Sequence, residues 1–273
     1  MNKKIRLSII FSILFISAHA QDLIKSGPMV GYSTMQEVLL WVQTDEKAKV
    51  HFEYYEIDNP KIRYKTDNKD TDKKSGYVAK LIADEVVPGK NYKYEIFING
   101  AKVERDYSME FQTQKLWKWR TDPPDVSFVI GSCSYVNEPK FDRPGKPYGN
   151  NFEIFNSIQS KNPDFMLWLG DNTYLREPDW NSRTGFINRY SHTRALAELQ
   201  PLLASTHHYA TWDDHDFGPN NSDGSFWLKE TASEIFKLFW GNPNYDVTGK
   251  GGITGFFQWG DLDFFLMDNR YHR

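Results

Sequence analysis

The stretch Asp164-Phe-Met-Leu-Trp-Leu-Gly-Asp-Asn-Thr-Tyr174 decides the fold of the second half of this 273-residue chain. Its apolar run, 165–169, has the length of a buried strand, whereas most helices need ten or more residues. Gly170 interrupts the run, and polar residues follow at once. The pattern predicts a buried strand that delivers Asp171 and Tyr174 to the edge of a sheet.

Two further apolar runs lie on either side of this strand and also end in polar clusters. They are DVSFVIGSC (125–133) and HHYATW (207–212). Segments with helical spacing separate the strands: NFEIFNSIQS, GFINRYSHTRALAELQPLL and SFWLKETASEIFKLFW. Strands that alternate with helices predict a parallel sheet covered on both faces. The last segment, GITGFFQWGDLDFFLMDNRYHR, predicts an antiparallel pair around Gly260-Asp261.

Residues 21–114 have a different pattern, which predicts a β-sandwich domain. Short runs rich in aromatic and β-branched residues are separated by turn residues, and Asn99-Gly100 is a strong hairpin signal. The predicted strands are EVLLWVQT, KVHFEYYEI, GYVAKLIAD, NYKYEIFI and KVERDYSMEFQT. The segment EVVPGKNYKYEIFING resembles the late strands of fibronectin type III-like and immunoglobulin-like domains. Residues 115–125, with two prolines, are predicted to be a linker to a second domain, 126–273.

The first twenty residues are predicted to be a secretory signal peptide. Basic residues precede the apolar run 7–16, and Ala18-His19-Ala20 provides a cleavage site. Removal of 1–20 takes away three of the 33 basic residues and changes the formal charge from −3 to −6. We therefore expect an exported protein, periplasmic or extracellular, without a transmembrane segment after signal removal. Its acidic balance argues against general nucleic-acid binding.

The three polar clusters predict a metal site. The carboxyl ends of parallel strands meet at one edge, so Cys133, Asp171, Tyr174, Asp214 and His215 are expected to converge there. Carboxylates suit hard ions such as Ca²⁺, whereas a thiolate and a phenolate suit Fe³⁺ or Zn²⁺. A central carboxylate such as Asp171 can bridge two ions, and two ions can hold a phosphate and generate hydroxide from water.

Several ordered motifs resemble the alkaline phosphatase D (PhoD) family of metallophosphoesterases. They are GSC, GDNTY, RYSHTRALAELQPLL, HHYATWDDHDFGPN and FFLMDNRYHR, preceded by SGPMVGYSTMQEVLLWVQT in the sandwich region. The resemblance implies a fibronectin type III/immunoglobulin-like β-sandwich followed by an α/β metallophosphoesterase domain, an αββα sandwich. Because that family takes further metal ligands from beyond the position of Arg273, the resemblance also implies that the second domain is incomplete at its C-terminal end.

The resemblance assigns a role to each site residue. Cys133 and Tyr174 would bind Fe³⁺, and Asp171 would bridge iron and Ca²⁺. Asp214 takes the place of the family's metal-binding asparagine, with Asp213 as a further calcium ligand. The remaining assignments are phosphate contacts by His215 and Arg270. Hydrolysis would follow from attack of a metal-bound hydroxide or oxide on a phosphate monoester or diester.

Alternatives remain open at this point. The enzyme would be a phosphodiesterase if it prefers cell-wall, lipid or nucleotide diesters, and zinc or another divalent ion would replace iron and calcium in another branch. A non-catalytic, calcium-stabilised surface-binding module is the alternative outside enzymes. Asp216 is interpreted as a turn residue, and His207 and His208 as strand residues without a catalytic part. The sequence does not predict an oligomeric state.

Overall fold

The structure is a computed structural model that describes residues 23–273. The predicted signal peptide, 1–20, lies outside the described residues. In 23–273 every helix falls short of a membrane span in length and apolar character. The longest helix among the described residues has 12 residues, against about 20 needed to cross a bilayer.

Nine strands lie within residues 23–112, and most of the predicted ones are confirmed. They are β1 (Ile24–Ser33), β2 (Val38–Thr44), β3 (Lys49–Glu56), β4 (Tyr64–Lys65), β5 (Lys69–Asp70), β6 (Val78–Ala83), β7 (Asn91–Ile98), β8 (Ala101–Val103) and β9 (Glu110–Gln112). The prediction of one strand over 102–113 is wrong. That segment forms β8 and β9, and each pairs with β7 in its own register, because the polar residues between them form an irregular turn.

Two layers of antiparallel strands enclose a core of apolar side chains in this half. One layer holds β1, β2 and β6, which are part of a larger sheet, and the other is a sheet of β3, β4, β5, β7, β8 and β9. Side chains such as Val50, Phe52 and Ile96 are fully buried between the sheets. The predicted hairpin turn joins β7 to β8, where Asn99 and Gly100 both have positive φ, as a type I′ turn requires.

The C-terminal half alternates strands and helices as predicted. Its elements are β10 (Phe128–Gly131), α1 (Ile154–Gln159), β11 (Phe165–Leu169), α2 (Arg183–Arg194), a 3₁₀ turn (Ala197–Leu199), α3 (Gln200–Ser205), β12 (His207–Thr211), α4 (Asp214–Phe217), α5 (Lys229–Phe239), β13 (Gly255–Trp259) and β14 (Leu262–Leu266). Strands β10, β11 and β12 are parallel, and β13 and β14 form the predicted antiparallel pair. The helical spacing over 185–203 does not correspond to one helix. Pro201 lies in the first turn of α3, where its missing N–H is tolerated. A separate helix, α3, therefore begins at this point instead of a continuation of α2.

One six-stranded sheet connects the two halves, in the order β10-β11-β12-β1-β2-β6. Val30 of β1 pairs with His207 of β12 in parallel. Trp41 of β2 packs in the same core as helix α5, and its indole N–H donates to the carbonyl of Leu238 at 3.0 Å. The boundary predicted at 115–125 therefore separates two sequence patterns, whereas packing across it is continuous.

The two faces of the parallel strands are covered unequally. Helices cover the face with Met166 and Trp168, and β13 and β14 cover Phe165 and Leu167 on the other. The expectation that both faces are covered is wrong at β10, where Ile130 is 60% exposed and Phe128 40%. The reason is geometric, since the β13–β14 pair lies over β11 and β12 and reaches β10 mainly through the edge contact of Phe264 with Phe128.

Candidate metal centre

The ends of β10, β11 and β12 meet at one edge of the sheet, as the sequence predicts. The backbone N–H of Cys133 donates to the carbonyl of Gly170 at 3.2 Å, and that of Ser134 to the carbonyl of Asp171 at 2.9 Å. On the other side, Leu175 N–H donates to the carbonyl of His215 at 3.1 Å. These backbone hydrogen bonds alone connect the three polar clusters.

The backbone at this edge adopts conformations that few residues tolerate. Gly170 has φ 103°, and an added Cβ would lie 2.6 Å from the Cβ of Asp213, so only glycine fits between the two strand ends. Asp171 and Cys133 have φ of 51° and 60°. Left-handed backbone outside glycine is uncommon and is concentrated at functional sites. It also occurs away from this edge, at Asn99 and Asp246 for example, so here it describes the turns that deliver Cys133 and Asp171.

Three side chains form the centre of the site. Ligand atoms of Asp171, Asp214 and His215 all lie within 4.8 Å of one another. Within residues 23–273 no other group of three His, Cys, Asp or Glu side chains meets that criterion. Asp214 is only 7% exposed, and the other two are half-buried. We refer to these three residues as the acidic cluster.

Cys133 and Tyr174 adjoin the acidic cluster through Asp171. The Tyr174 hydroxyl donates to Asp171 Oδ2 at 3.0 Å, and Cys133 Sγ lies 3.7 Å from the same oxygen. The His215 ring stacks on Tyr174 with centroids 4.4 Å apart. The structure thus brings together the five strand-end residues whose convergence the sequence predicts.

Negative charge is crowded at this point. Burial raises the pKa of Asp171, and the nearby Asp214 raises it further, against the opposing effects of His215 and Tyr174. Burial also opposes ionisation of Asp214, but a backbone hydrogen bond from Asn221 and the charges of His215 and Arg270 lower its pKa overall. For Tyr174, burial and the Asp171 carboxylate raise the phenol pKa. A bound cation would stabilise the ionised form of every one of these oxygen ligands.

Asp213 and Arg270 lie beside the acidic cluster and are bonded to each other. Arg270 Nε donates to Asp213 Oδ1 at 2.5 Å, and Asn269 Nδ2 donates to the same oxygen at 2.9 Å. The Arg270 guanidinium also lies 4.0 Å from Asp214 Oδ1. Asp213 is therefore turned toward Arg270 and is not one of the three clustered ligands. The calcium contact predicted for Asp213 and the phosphate contact predicted for Arg270 stay predictions.

Asp216 shapes the turn, as its interpretation from the sequence suggests. It is completely buried, and its carboxylate accepts hydrogen bonds from the backbone N–H groups of Asp213, Asn172 and Thr173 at 3.0–3.2 Å. Burial raises its pKa well above the ordinary value, although these bonds lower it. Asp216 joins the loop after β11 to the start of α4, and so fixes Asp171 relative to Asp214.

A cavity of about 480 Å³ opens next to the acidic cluster. Tyr174 and His215 line it, together with residues that sequence reasoning missed: Tyr135, Phe141, Asp142, Arg143, Tyr148, Leu175, Arg176, Glu177, Trp180 and Asn220. Several of them come from 132–153, which lie between β10 and α1 and contain no helix or strand. A connection of that length is itself a signal, because long irregular loops in compact domains are usually functional.

Two solved structures of phosphatases share this fold. The chain covers 88% of its length on purple acid phosphatase PPD1 from yellow lupin (Lupinus luteus) seeds, with 14% identity and a TM-score of 0.59. The structure of PhoD matches over 93% of this chain with 17% identity and a TM-score of 0.72. The likeness to both shows a fold in common with these phosphatases, and so supports the PhoD-like fold predicted from the sequence.

The matches cover only part of each phosphatase structure. The chain spans about half the length of the two phosphatase structures, 53% of PhoD and 44% of the lupin enzyme. A family model described as a domain of unknown function, DUF7800, matches residues 21–116. No curated protein matches the sequence.

Proposed function

We propose that the chain belongs to an exported, metal-dependent phosphoester hydrolase of the PhoD type. The convergence of Asp171, Asp214 and His215 at the strand ends, next to an open cavity, is the observation that carries this proposal. The fold shared with two phosphatases supports it. Export rests on the sequence of residues 1–20 alone.

The side chains at the centre fit a pair of unlike cations. Asp171 is central, since the Tyr174 hydroxyl and Cys133 Sγ lie near its Oδ2, while its Oδ1 accepts the backbone N–H of His215 at 3.4 Å. Cys133 and Tyr174 would hold Fe³⁺, since thiolate and phenolate ligands suit that ion, Asp214 would hold Ca²⁺, and Asp171 would contribute to both. When bound, such ions polarise the phosphoryl group and lower the pKa of water.

The protein's own residues would position the ester. His215 is the clustered residue that also lines the cavity, so a ring N–H can donate a hydrogen bond to a phosphoryl oxygen there. Its orientation is fixed by the stack on Tyr174 and by its carbonyl, which accepts from Leu175. Arg270, held by Asp213, adds positive charge near Asp214 and so favours an anionic substrate at this edge.

The test compares two aspartates with the same backbone conformation. Asp171→Asn removes one charge and keeps the shape, and asparagine accepts positive φ. Asp246→Asn is the matched control, because Asp246 has φ 52° and lies outside the acidic cluster and the cavity lining. We expect Asp171→Asn to lower hydrolysis of p-nitrophenyl phosphate by about 10²- to 10³-fold, because loss of this carboxylate would weaken the cations that stabilise charge in the transition state.

Elemental analysis of the same proteins accompanies the assay. Bound iron and calcium that fall in Asp171→Asn, but not in Asp246→Asn, would agree with the proposed centre. Zinc alone would replace the proposed ions. If the chain bound calcium and hydrolysed neither p-nitrophenyl phosphate nor its bis ester, it would be a non-catalytic calcium module. The ratio of the two rates separates monoester from diester preference.

A further inference from the structure

The cavity beside the acidic cluster has a continuous aromatic wall. From His215 the wall passes to Tyr174, then to Tyr135 with centroids 5.0 Å apart, then to Tyr148 at 5.4 Å from Tyr135. Tyr148 is 67% exposed, so the row runs from the cluster to the solvent rim. Trp180 also lines the cavity. A substrate phosphoryl group at the cluster would therefore have its alcohol part next to aromatic rings.

Tyr135, in the middle of this wall, is held by a largely buried network. The Tyr135 hydroxyl donates to Asp142 at 2.8 Å, and the Arg176 guanidinium lies 4.1 Å above the Tyr135 ring. Arg176 is 5% exposed and donates to Asp142 and to the carbonyl of Val136, both at 2.9 Å. Because the ring of Tyr135 is already ordered, a ligand that contacts it loses little conformational freedom of the protein on binding.

The size and lining of the cavity indicate which chemical group fits. A volume of about 480 Å³ lies in the usual range for small-molecule sites. Tyrosine and tryptophan faces stack on planar rings, and the contact adds to the burial of apolar area. The exposed face of Tyr148 is available for such a contact at the rim. A small aliphatic alcohol such as glycerol would leave most of the wall in contact with water.

We propose that this cavity is the subsite for the alcohol part of the ester and selects substrates with an aromatic or heteroaromatic ring near the phosphate. The inference rests on the proposed phosphoesterase function and goes beyond it by naming the substrate class. Tyr148 is its specificity-determining residue. Tyr174 and His215 form the inner end of the subsite, next to the position of the substrate's phosphoryl group.

The test measures binding without turnover. Phenylphosphonate and cyclohexylphosphonate have the same charge and similar size, carry no hydrolysable ester, and differ in aromaticity. By titration calorimetry of the metal-loaded chain, we expect phenylphosphonate to bind about fivefold more tightly, as one aromatic contact predicts. Tyr148→Leu should reduce this preference, since Tyr135, Tyr174 and Trp180 stay in the lining, and Tyr148→Phe should keep it. Since Tyr148 is exposed at the rim, neither substitution disturbs a core.

The outcomes separate the subsite from the catalytic proposal. Equal binding of the two phosphonates, or a preference unchanged in Tyr148→Leu, overturns the subsite. Preferential binding of phenylphosphonate without hydrolysis of phenyl phosphate keeps the subsite and overturns the hydrolase. Hydrolysis of phenyl phosphate and cyclohexyl phosphate at equal kcat/KM keeps the hydrolase and overturns the subsite. If neither phosphonate binds, the subsite is overturned, and hydrolysis of p-nitrophenyl phosphate still decides the hydrolase.

Discussion

Two strands of the same parallel sheet, β12 and β10, have similarly apolar sequences and very different surroundings. In β12, residues 207–210 are all buried, between β11 on one side and β1 of the N-terminal half on the other. In β10, an edge strand, Phe128 and Ile130 are exposed. Apolar sequence alone therefore identifies a strand, and its neighbours decide how much it contributes to stability.

The difference also explains how the site is supported. Strand β12 delivers Asp214 and His215 from the rigid, doubly paired part of the sheet. Strand β10 delivers Cys133, which is exposed. We expect the acidic cluster to keep its geometry in the free protein, whereas Cys133 depends on the hydrogen bond of its N–H with Gly170.

The largest effect is expected where the two halves share a core. Trp41 is fully buried, packs on Phe239 with centroids 5.8 Å apart, and donates its indole N–H to Leu238. Trp41→Ala should lower the free energy of unfolding by about 3–5 kcal/mol, the range for large core truncations. Denaturant unfolding measures this change. Trp41→Phe, which keeps a ring and loses the hydrogen bond, should fall between wild type and Trp41→Ala; equal losses would mean that the ring itself contributes little.

The next largest effect is a dependence of stability on pH, which arises from two buried histidines in β12. Burial lowers the pKa of His207 to about 4 and of His208 to about 3. Each ring accepts one N–H, His207 from the backbone of Gln112 and His208 from Trp168, so protonation would break a hydrogen bond. Because the unfolded chain binds these protons near pH 6.5, the stabilisation is complete above that pH and is lost as pH falls toward 4 and then 3.

The expected slope is about 1.4 kcal/mol per pH unit for each histidine. His208→Gln should lower the slope of unfolding free energy against pH by the contribution of one histidine between pH 6 and 4. Urea unfolding at several pH values measures this slope. Carboxylates titrate in the same range, but they are common to both proteins and cancel in the difference. An unchanged slope in His208→Gln would show that His208 is already protonated in the folded protein.

The smallest effect is expected at the free edge. Ile130 and Leu167 are register partners on the same face, 60% and 8% exposed respectively. Ile130→Ala should change the free energy of unfolding by about 0.5 kcal/mol or less, whereas Leu167→Ala should lower it by about 2–4 kcal/mol. Comparable losses at the two positions would show that β10 is covered in solution.

Much of the site was predictable because it depends on local patterns. An apolar run followed by Gly170-Asp171 identifies a strand end, and parallel strands bring such ends together whatever their separation in sequence. Five converging residues, Cys133, Asp171, Tyr174, Asp214 and His215, followed from that rule. The ion pair of Asp213 with Arg270 did not, since the direction of a side chain on a turn depends on its neighbours.

The remaining differences have physical causes of the same kind. The pairing of β1 with β12 joins two strands that are far apart in sequence. The hydrophobic periodicity of each strand does not predict which strand it pairs with. The exposure of β10 depends on how far β13 and β14 reach across the sheet. The aromatic wall of the cavity comes from an irregular loop, where the side-chain periodicities of helix and strand do not apply.

The shared sheet imposes an order on folding. Ser33 of β1 donates its N–H to the Tyr209 hydroxyl of β12 across 176 residues of chain, and contacts of such sequence separation form slowly. During synthesis the sandwich strands emerge first, and the β12 side of β1 stays an open sheet edge until β12 arrives. Exposed strand edges in partly folded chains favour aggregation. We therefore expect the chain to be most prone to aggregation while β1 is formed and β12 is not.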